Sequence, residues 1–545
     1  PVAFLELGRD NANTVRALGN VTFDFAITDD LSFKTILGGD RSASTRKAGY
    51  SGDLLVQGIE GQGRATFDDI ITVNTLMENY FTYDKEISSN IRMDALLGYS
   101  YQRFQRETNF IQAAGFRTTD VDIILNNLAA VDFTTGNGGI VGNSSFRVDE
   151  LQSYFGRVNF DIADKYLLTA SLRADGSTRF GGENKYGIFP SFAAAWRLSD
   201  EVFIPEGITD LKLRAGYGVT GNQEIPSNLY TDRQRFQGEG LNVSPTGVSI
   251  NNSSINTVAF PNPNLQWEST TQINVGVDWG VLDNRLRGSV DYYRKNTNDL
   301  LFQIFSAQPA PQPFVWRNLD ADVINEGVEF TLNANVVNNA NFAWEISGNA
   351  AYNENRVENF NGLVNTGDID GQGLTGAFAQ RIAGGQPLFA YFLRPFGGFD
   401  DAGQSIYPEG DVQQFVGRSP LPLWNVGLTN NFNLGNFDLS VFFTGQLGQY
   451  VYNNTANAFF TAGALAGGNN VTQDVVGNGE SRANAPEVST RFLENASFVR
   501  LQNFTLGYNF DMSDVEFLSN LRLYFTGQNV LTFTDYSGQD PEVNI

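Results

Sequence analysis

The sequence holds no cysteine and no histidine in 545 residues. That removes Cys/His zinc sites, thiol nucleophiles, histidine triads and disulfides together. It has no run of 18 apolar residues, so no helix read from it can cross a bilayer. Helix-period stretches of any length are missing too, as are long charge blocks. Basic residues are scarce: 36 against 60 acidic ones, a formal net charge of −24 and a pI near 4.4. So acidic a surface repels phosphate backbones and argues against a nucleic-acid partner. Solvated loops explain the charge most simply, with adaptation to a saline habitat or attraction of a cationic ligand as alternatives. No glycine-rich loop opens a helix, and carboxylate pairs drawn from so many acids carry no specific context. No catalytic residue is assigned, and the chain is not read as an enzyme.

What is present is aromatic and evenly textured. Phe numbers 44, Tyr 20 and Gly 56, with 41 % hydrophobic residues beside a mean hydropathy of −0.24. Residues 211–220 place Leu211, Leu213, Ala215, Tyr217 and Val219 on one face. Lys212, Arg214, Gly216, Gly218 and Thr220 take the other, the period of a strand. Val275, Val277, Trp279 and Val281 alternate with Asn274, Gly276, Asp278 and Gly280. Tyr166, Leu168, Ala170 and Leu172 do the same, as do Tyr186, Ile188, Pro190, Phe192, Ala194, Trp196 and Leu198.

The connections are of two kinds. Tight turns are predicted at Thr28-Asp29-Asp30, Ala163-Asp164, Leu282-Asp283-Asn284, Asn338-Asn339 and Leu434-Gly435. Slightly longer ones fall near Asp84, between Leu198 and Leu211, and between Phe510 and Leu521; Asn, Asp and Gly tolerate such geometry. Long segments alternate with them: Phe104–Glu150, Asn222–Thr270, Asn353–Asn425 and Tyr450–Ser497. Short turns on one side and long loops on the other describe an all-β fold, a large antiparallel transmembrane β-barrel, with about 16 strands here. Trp196, Trp279 and Trp344 lie near short turns and are read as a periplasmic aromatic girdle, against ordinary strand aromatics as the alternative.

Several blocks then become recognisable. Tyr186-Gly187-Ile188-Phe189-Pro190-Ser191-Phe192 with Trp196-Arg197-Leu198-Ser199 resembles a strand of SusC/RagA-type TonB-dependent transporters. Leu211–Arg214 with Tyr217–Gln223 resembles a second block of that family, and Asn262-Pro263-Asn264-Leu265-Gln266-Trp267-Glu268, leading into Asn274–Trp279 and Asp291-Tyr292-Tyr293, resembles a third. Asn325–Glu329, Gly385-Gln386-Pro387-Leu388, Ser497–Asn503, Gly527–Thr532 and Asp540-Pro541-Glu542-Val543 continue the series in family order.

The resemblance implies an outer-membrane barrel of about 22 strands when complete. It implies TonB-dependent import of a nutrient too large for porins, an oligosaccharide or a peptide. A SusD-like surface lipoprotein would cap the mouth, and TonB would act through a plug and TonB box. Those parts, a signal peptide and a closing strand are not found between Pro1 and Ile545, so residues 1–545 are read as a partial barrel whose ends interrupt a larger protein. Alternatives are a siderophore or cobalamin receptor, and a structural or secretion-associated barrel.

Candidate sites are few. Asp368-Ile369-Asp370-Gly371-Gln372-Gly373 begins like a calcium loop, but position 379 is Ala where the motif needs a bidentate Glu. No metal and no cofactor are expected. Asp400-Asp401-Ala402-Gly403-Gln404 reads as a turn. Phe314 and Trp316, after the Pro-rich stretch 309–313, are the candidate substrate-facing aromatics, against loop packing as the alternative. The loops between Asn353 and Asn425 and between Tyr450 and Ser497 are expected to meet partners.

Overall fold

The computed structural model describes residues 2–542 except 135–137, 206, 238–241, 245–246, 250–253, 307–313, 340, 370–373, 375, 469, 486, 513–517 and 519. Sixteen long strands form one antiparallel sheet in sequence order. They are β1 Gly8–Ala26, β2 Leu31–Tyr50, β3 Arg64–Ser88, β4 Ile91–Ala114, β5 Gly139–Ile162, β6 Tyr166–Ser177, β7 Tyr186–Arg197 and β8 Ile208–Asn222. There follow β9 Glu268–Val281, β10 Leu286–Asn298, β11 Asp322–Asn338, β12 Phe342–Glu358, β13 Trp424–Leu434, β14 Phe437–Leu447, β15 Phe498–Phe510 and β16 Leu521–Thr534. Among the described residues, β1 pairs only with β2 and β16 only with β15.

Alternation decides which way each side chain points. Ile188, Phe192, Tyr217, Ile273, Val275, Val290, Tyr292, Val328 and Phe330 stand exposed on the outer face. Arg214, Asp278 and Asp291 meet one another on the inner face. An outer face of this kind suits hydrocarbon, and the ladder pairs each interior strand with a neighbour on both sides, as a membrane wall requires.

Seven of the eight predicted turns fall between neighbouring strands as placed. Ala163, Asp164, Leu282, Asp283 and Asn284 take positive φ, as does Gly435, which is how so few residues reverse the chain. Near the turns Trp196 stacks on Tyr166 at 5.9 Å and Trp344 on Phe432 at 5.6 Å. Trp279 lies over Gly288, where a Cβ would come within 2.8 Å of the indole. Toward the long-loop end a second set of outward rings appears, Tyr99 on Tyr154 at 5.3 Å and Tyr352 on Trp424 at 5.1 Å.

Four sequence readings need correction. The turn placed near Asp84 lies at residues 89–90, because β3 continues to Ser88. The segment Phe104–Glu150 is not one long loop: β4 runs to Ala114 and β5 starts at Gly139. These 24-residue strands exceed the roughly 10 residues a bilayer requires. Their outer ends lie under the cluster of Phe116, Ile124 and Val131, where Ala65 and Ala113 are fully buried, so the alternation of lipid face against lumen face lapses. Helices do occur, at Val2–Leu7, Val121–Asn126, Asn454–Phe459 and Ala462–Ala466, all in or beside loops and too short to show a period. Leu198 leaves the strand face and is buried in a single 3-10 turn.

Candidate functional site

The inner wall carries ion pairs laid flat across the strands. Arg214 grips Asp278 through hydrogen bonds of 2.9 and 2.7 Å and reaches Asp291 at 2.9 Å, while Lys212 approaches Asp278 at 3.0 Å. Gly276 lies beneath this cluster: a Cβ there would stand 2.0 Å from Asp291 and 2.9 Å from Arg214. Gly507 does the same under Arg522 and Asp438, with a virtual Cβ 2.5 Å from the carboxylate. Glycine at these inward positions lets charged side chains from both flanking strands lie across the wall. Ser171 with Ser191, Ser289 with Thr331, and Ser347 with Asn333 extend the polar lining. Such a polar lining is what the interior face of an outer-membrane barrel carries.

At the long-loop end the recognised sequence blocks meet in space. Phe189 of the first block packs edge-on against Trp267 of the third at 5.5 Å. Gly221 of the second block admits Phe189 so closely that a Cβ would fall 2.2 Å from its ring. Trp267 also leans on Phe180 at 5.2 Å and donates its indole N–H to Lys185 O at 3.0 Å. Phe180, Ile225, Leu229 and Leu265 are buried beside it. Glu268, next in the chain, accepts the Leu301 N–H at 3.0 Å. The Gly385–Leu388 block is tied to the inner mouth. Val357 and Gly385–Gln386 exchange two backbone bonds of 2.8 Å, and Leu388 N–H donates to Asn355 at 2.7 Å. Arg500 and the Asp540–Glu542 block bind each other at 2.5 and 2.7 Å.

The hairpin Leu300–Phe305 with Phe314–Leu319 folds between these anchors. Leu301 and Trp316 pack on the Phe180 cluster, whereas Leu300 and Phe302 pack on Val323, Val357 and Ile382. The two candidate aromatics therefore differ in setting. Trp316 is part of that packing and its carbonyl accepts from Asn262 at 2.9 Å. Phe314 is exposed at the hairpin's outer end, against Phe305 at 4.9 Å. The Pro-rich stretch before them falls outside the described residues. A cavity of about 350 Å³ opens between the hairpin and the next loop, walled by Leu300, Phe302, Phe360, Ile382, Leu388 and Phe389. Asp299, Asn359 and Phe389 around it all take φ near +60° (56°, 56° and 61°), a costly conformation that packing must hold. An apolar chamber of this size, with Glu268 and Asn325 at its edge, has the make-up of a ligand pocket. Sequence reasoning missed it, since its walls come from segments that alternation does not mark.

The two longest loops share one core: Ile369, Leu374, Ala379, Tyr391 and Leu393 from the first, Val488 from the second. Tyr391 donates its hydroxyl to Tyr450 O at 3.0 Å and accepts the Tyr452 N–H at 3.2 Å. Burial pushes this phenol up to about 12. Glu480 is enclosed by Arg491 at 2.6 and 2.7 Å, by Asn484 at 3.0 Å and by the Ala462 N–H at 3.0 Å. Burial alone would raise its pKa; Arg491 and the two other donors outweigh that and hold it below the ordinary carboxylate value. Asp400 forms the predicted turn, accepting the Ala402 and Gln404 N–H groups at 2.9 and 2.8 Å. Of the calcium-like segment, residues 370–373 lie outside those described. Among the described residues no three acidic side chains gather as metal ligands.

Residues 4–530 match the family described as TonB dependent receptor-like, beta-barrel. TonB-dependent receptor P3 of Formosa agariphila is 32 % identical over 98 % of this chain and 55 % of its own length. TonB-dependent receptor SusC of Bacteroides thetaiotaomicron is 30 % identical over 100 % of this chain and 55 % of its own. The chain thus spans about half the length of the curated relatives it matches. A structure of the RagAB peptide transporter superposes with a TM-score of 0.83 at 21 % identity, covering 99 % of this chain and 60 % of that one, a likeness of fold. On the match over residues 4–530, the chain belongs to the TonB-dependent receptor β-barrel family of the bacterial outer membrane.

Proposed function

We propose that these residues form the wall and outer mouth of an importer that takes up a nutrient too large for porins, an oligosaccharide or a peptide. The observation that carries this reading is an ion-paired polar inner wall together with outer loops that hold apolar cores of their own. Loops with their own cores hold a shaped entrance, which a passive pore does not need. The peptide option draws on the RagAB likeness, the oligosaccharide option on the SusC-type sequence blocks. The exposed outer loops suit a SusD-like surface lipoprotein, and energy would come from TonB acting through a plug. The role is transport rather than catalysis.

The single-sided edges of β1 and β16 support further strands that close the barrel, since an open edge in lipid costs several kcal/mol per unpaired group. The test is deletion of the complete gene in its host, with growth on defined peptides and on defined oligosaccharides as sole nutrient. Loss of growth on one class supports import of that class. Undiminished uptake of both would overturn the reading.

A further inference from the structure

We propose that Arg381, in the outer loop layer, is a recognition site for an anionic group, a carboxylate or sulfate, on the imported solute. The proposal rests on the import reading above and adds a charge preference to it.

Five arginines of the outer mouth lie over aromatic rings: Arg381, Arg394, Arg418, Arg491 and Arg500. Three of them also hold carboxylates: Arg394 with Asp411 and Glu487, Arg491 with Glu480, Arg500 with Asp540 and Glu542. Arg381 and Arg418 hold none among the described residues. In a chain with 60 acidic residues against 36 basic, a partly buried guanidinium without a counterion runs against the composition.

The geometry leaves Arg381 ready for a ligand. Its guanidinium lies 3.8 Å from the centre of the Phe392 ring, and Phe392 is braced by Phe415 at 4.9 Å. Stacking fixes the plane of the group and leaves its edge donors free, the arrangement that receives an oxyanion in bidentate fashion. Burial disfavours its charge and, among the described residues, no neighbouring anion offsets the cost, so an incoming anion would stabilise it. Its place is also apt. Arg381 pairs with Ala390, and Ile382 beside it packs on Val323 and Val357 at the long-loop ends of β11 and β12. On the other flank of the strand Ala390–Leu393, Tyr391 N–H donates to Arg418 O at 3.0 Å. Two uncompensated arginines thus flank one short strand, about 10 Å apart at the backbone by the usual strand spacing. A purely structural stack would leave the −24 chain indifferent or hostile to anions.

The test uses the intact, purified transporter and two matched probe pairs: dextran sulfate oligomers against dextran, and oligoglutamate against oligoglutamine. Binding is measured by calorimetry for wild type, Arg381→Gln and Arg381→Lys, with melting temperature recorded for each. At least one charged probe should bind about tenfold or more tightly than its neutral partner, the worth of one charge-assisted pair. Which pair responds separates sulfate from carboxylate. Arg381→Gln should bring that ratio to about one with melting unchanged; Arg381→Lys, which keeps the charge but not the fork, should retain part of it. An unchanged ratio in Arg381→Gln overturns the proposal. So does a wild type without preference in either pair, or equal loss of charged and neutral binding in Arg381→Gln. Failure of the import reading shows separately, as cells bearing wild type that take up none of the four probes and lose no nutrient when the gene is deleted.

Discussion

Arg491 holds Glu480 by two parallel hydrogen bonds of 2.6 and 2.7 Å, with the carboxylate side chain 1 % exposed. Phe396, Phe399 and Phe492 surround the guanidinium at 5.8, 4.9 and 4.7 Å. The pair joins residue 480 to 491 and, through Ala462, to the short helix Ala462–Ala466. Glu480→Ala leaves a buried cation without its partner, a loss of about 3 kcal/mol. Hydrogen exchange should then rise across residues 454–492 while the strands stay protected. The pH dependence has a definite sign. The folded pKa of Glu480 is depressed, so its stabilisation is complete above the ordinary value of 4.5 and is lost as pH falls through the lower folded value. Acid loosening of these residues below pH 4.5 that is absent in Glu480→Ala supports this; identical acid profiles in the two proteins contradict it.

Gly276 offers a test of the lumen wall. Adding a methyl group would drive into Asp291 and Arg214. Gly276→Ala should destabilise the barrel by about 1–3 kcal/mol, as overpacking usually does. Gly39→Ala is the control, since nothing stands within 4 Å of its virtual Cβ. Heat-modifiable mobility on gels reads out both. Equal midpoints for the two variants would show that the ion cluster moves aside freely.

The Arg500 clamp is asymmetric. Its guanidinium side chain is 6 % exposed, whereas Asp540 and Glu542 are 54 % and 52 % exposed. Removing the arginine frees two carboxylates into water. Removing both carboxylates strands a buried cation. Asp540→Asn with Glu542→Gln should therefore cost about 3 kcal/mol, and Arg500→Met about 1 kcal/mol. Denaturant midpoints of the full-length protein decide, and the reverse order would refute the burial argument.

Much of the barrel was legible because lipid on one face and water on the other impose a strict period of two. Val275, Val277 and Trp279 against Asn274 and Asp278 show that constraint directly. Where it lapses, so does the reading. Residues 104–114 of β4 run out under a loop cluster where Ala113 is fully buried, and without lipid on one face they look like loop. The mouth was legible only as marks without meaning. Phe189, Gly221 and Trp267 stand in three separate blocks, and nothing in their spacing says that they touch. Long-range packing of this kind leaves no periodic trace, and neither does a cavity whose walls come from residues 300, 360 and 389.

The last prediction concerns the two long loops. The core that unites them draws Ile369, Leu374, Tyr391 and Leu393 from one and Val488 from the other, so neither keeps its shape alone. Replacing residues 453–492 by a short Gly/Ser linker exposes the Tyr391 cluster and leaves the strand ladder untouched. The barrel should still assemble and shift on heating, because membrane strands satisfy their backbone groups against one another and not against the loops. Residues 363–393 should lose exchange protection together with the deletion. Import, or association with a surface lipoprotein, should fall at least tenfold, since the entrance loses its shape. Alkaline titration gives a second reading of the same core. The phenol of Tyr391 is raised to about 12 from an ordinary 10, so its stabilisation is present below pH 10 and is lost as pH rises toward 12. Wild type should therefore loosen around residues 363–393 across that interval, and Tyr391→Phe should show a smaller alkaline change from a weaker starting point. If the deleted protein kept full uptake, or if residues 363–393 stayed protected without their partner loop, the shared core would have no part in transport.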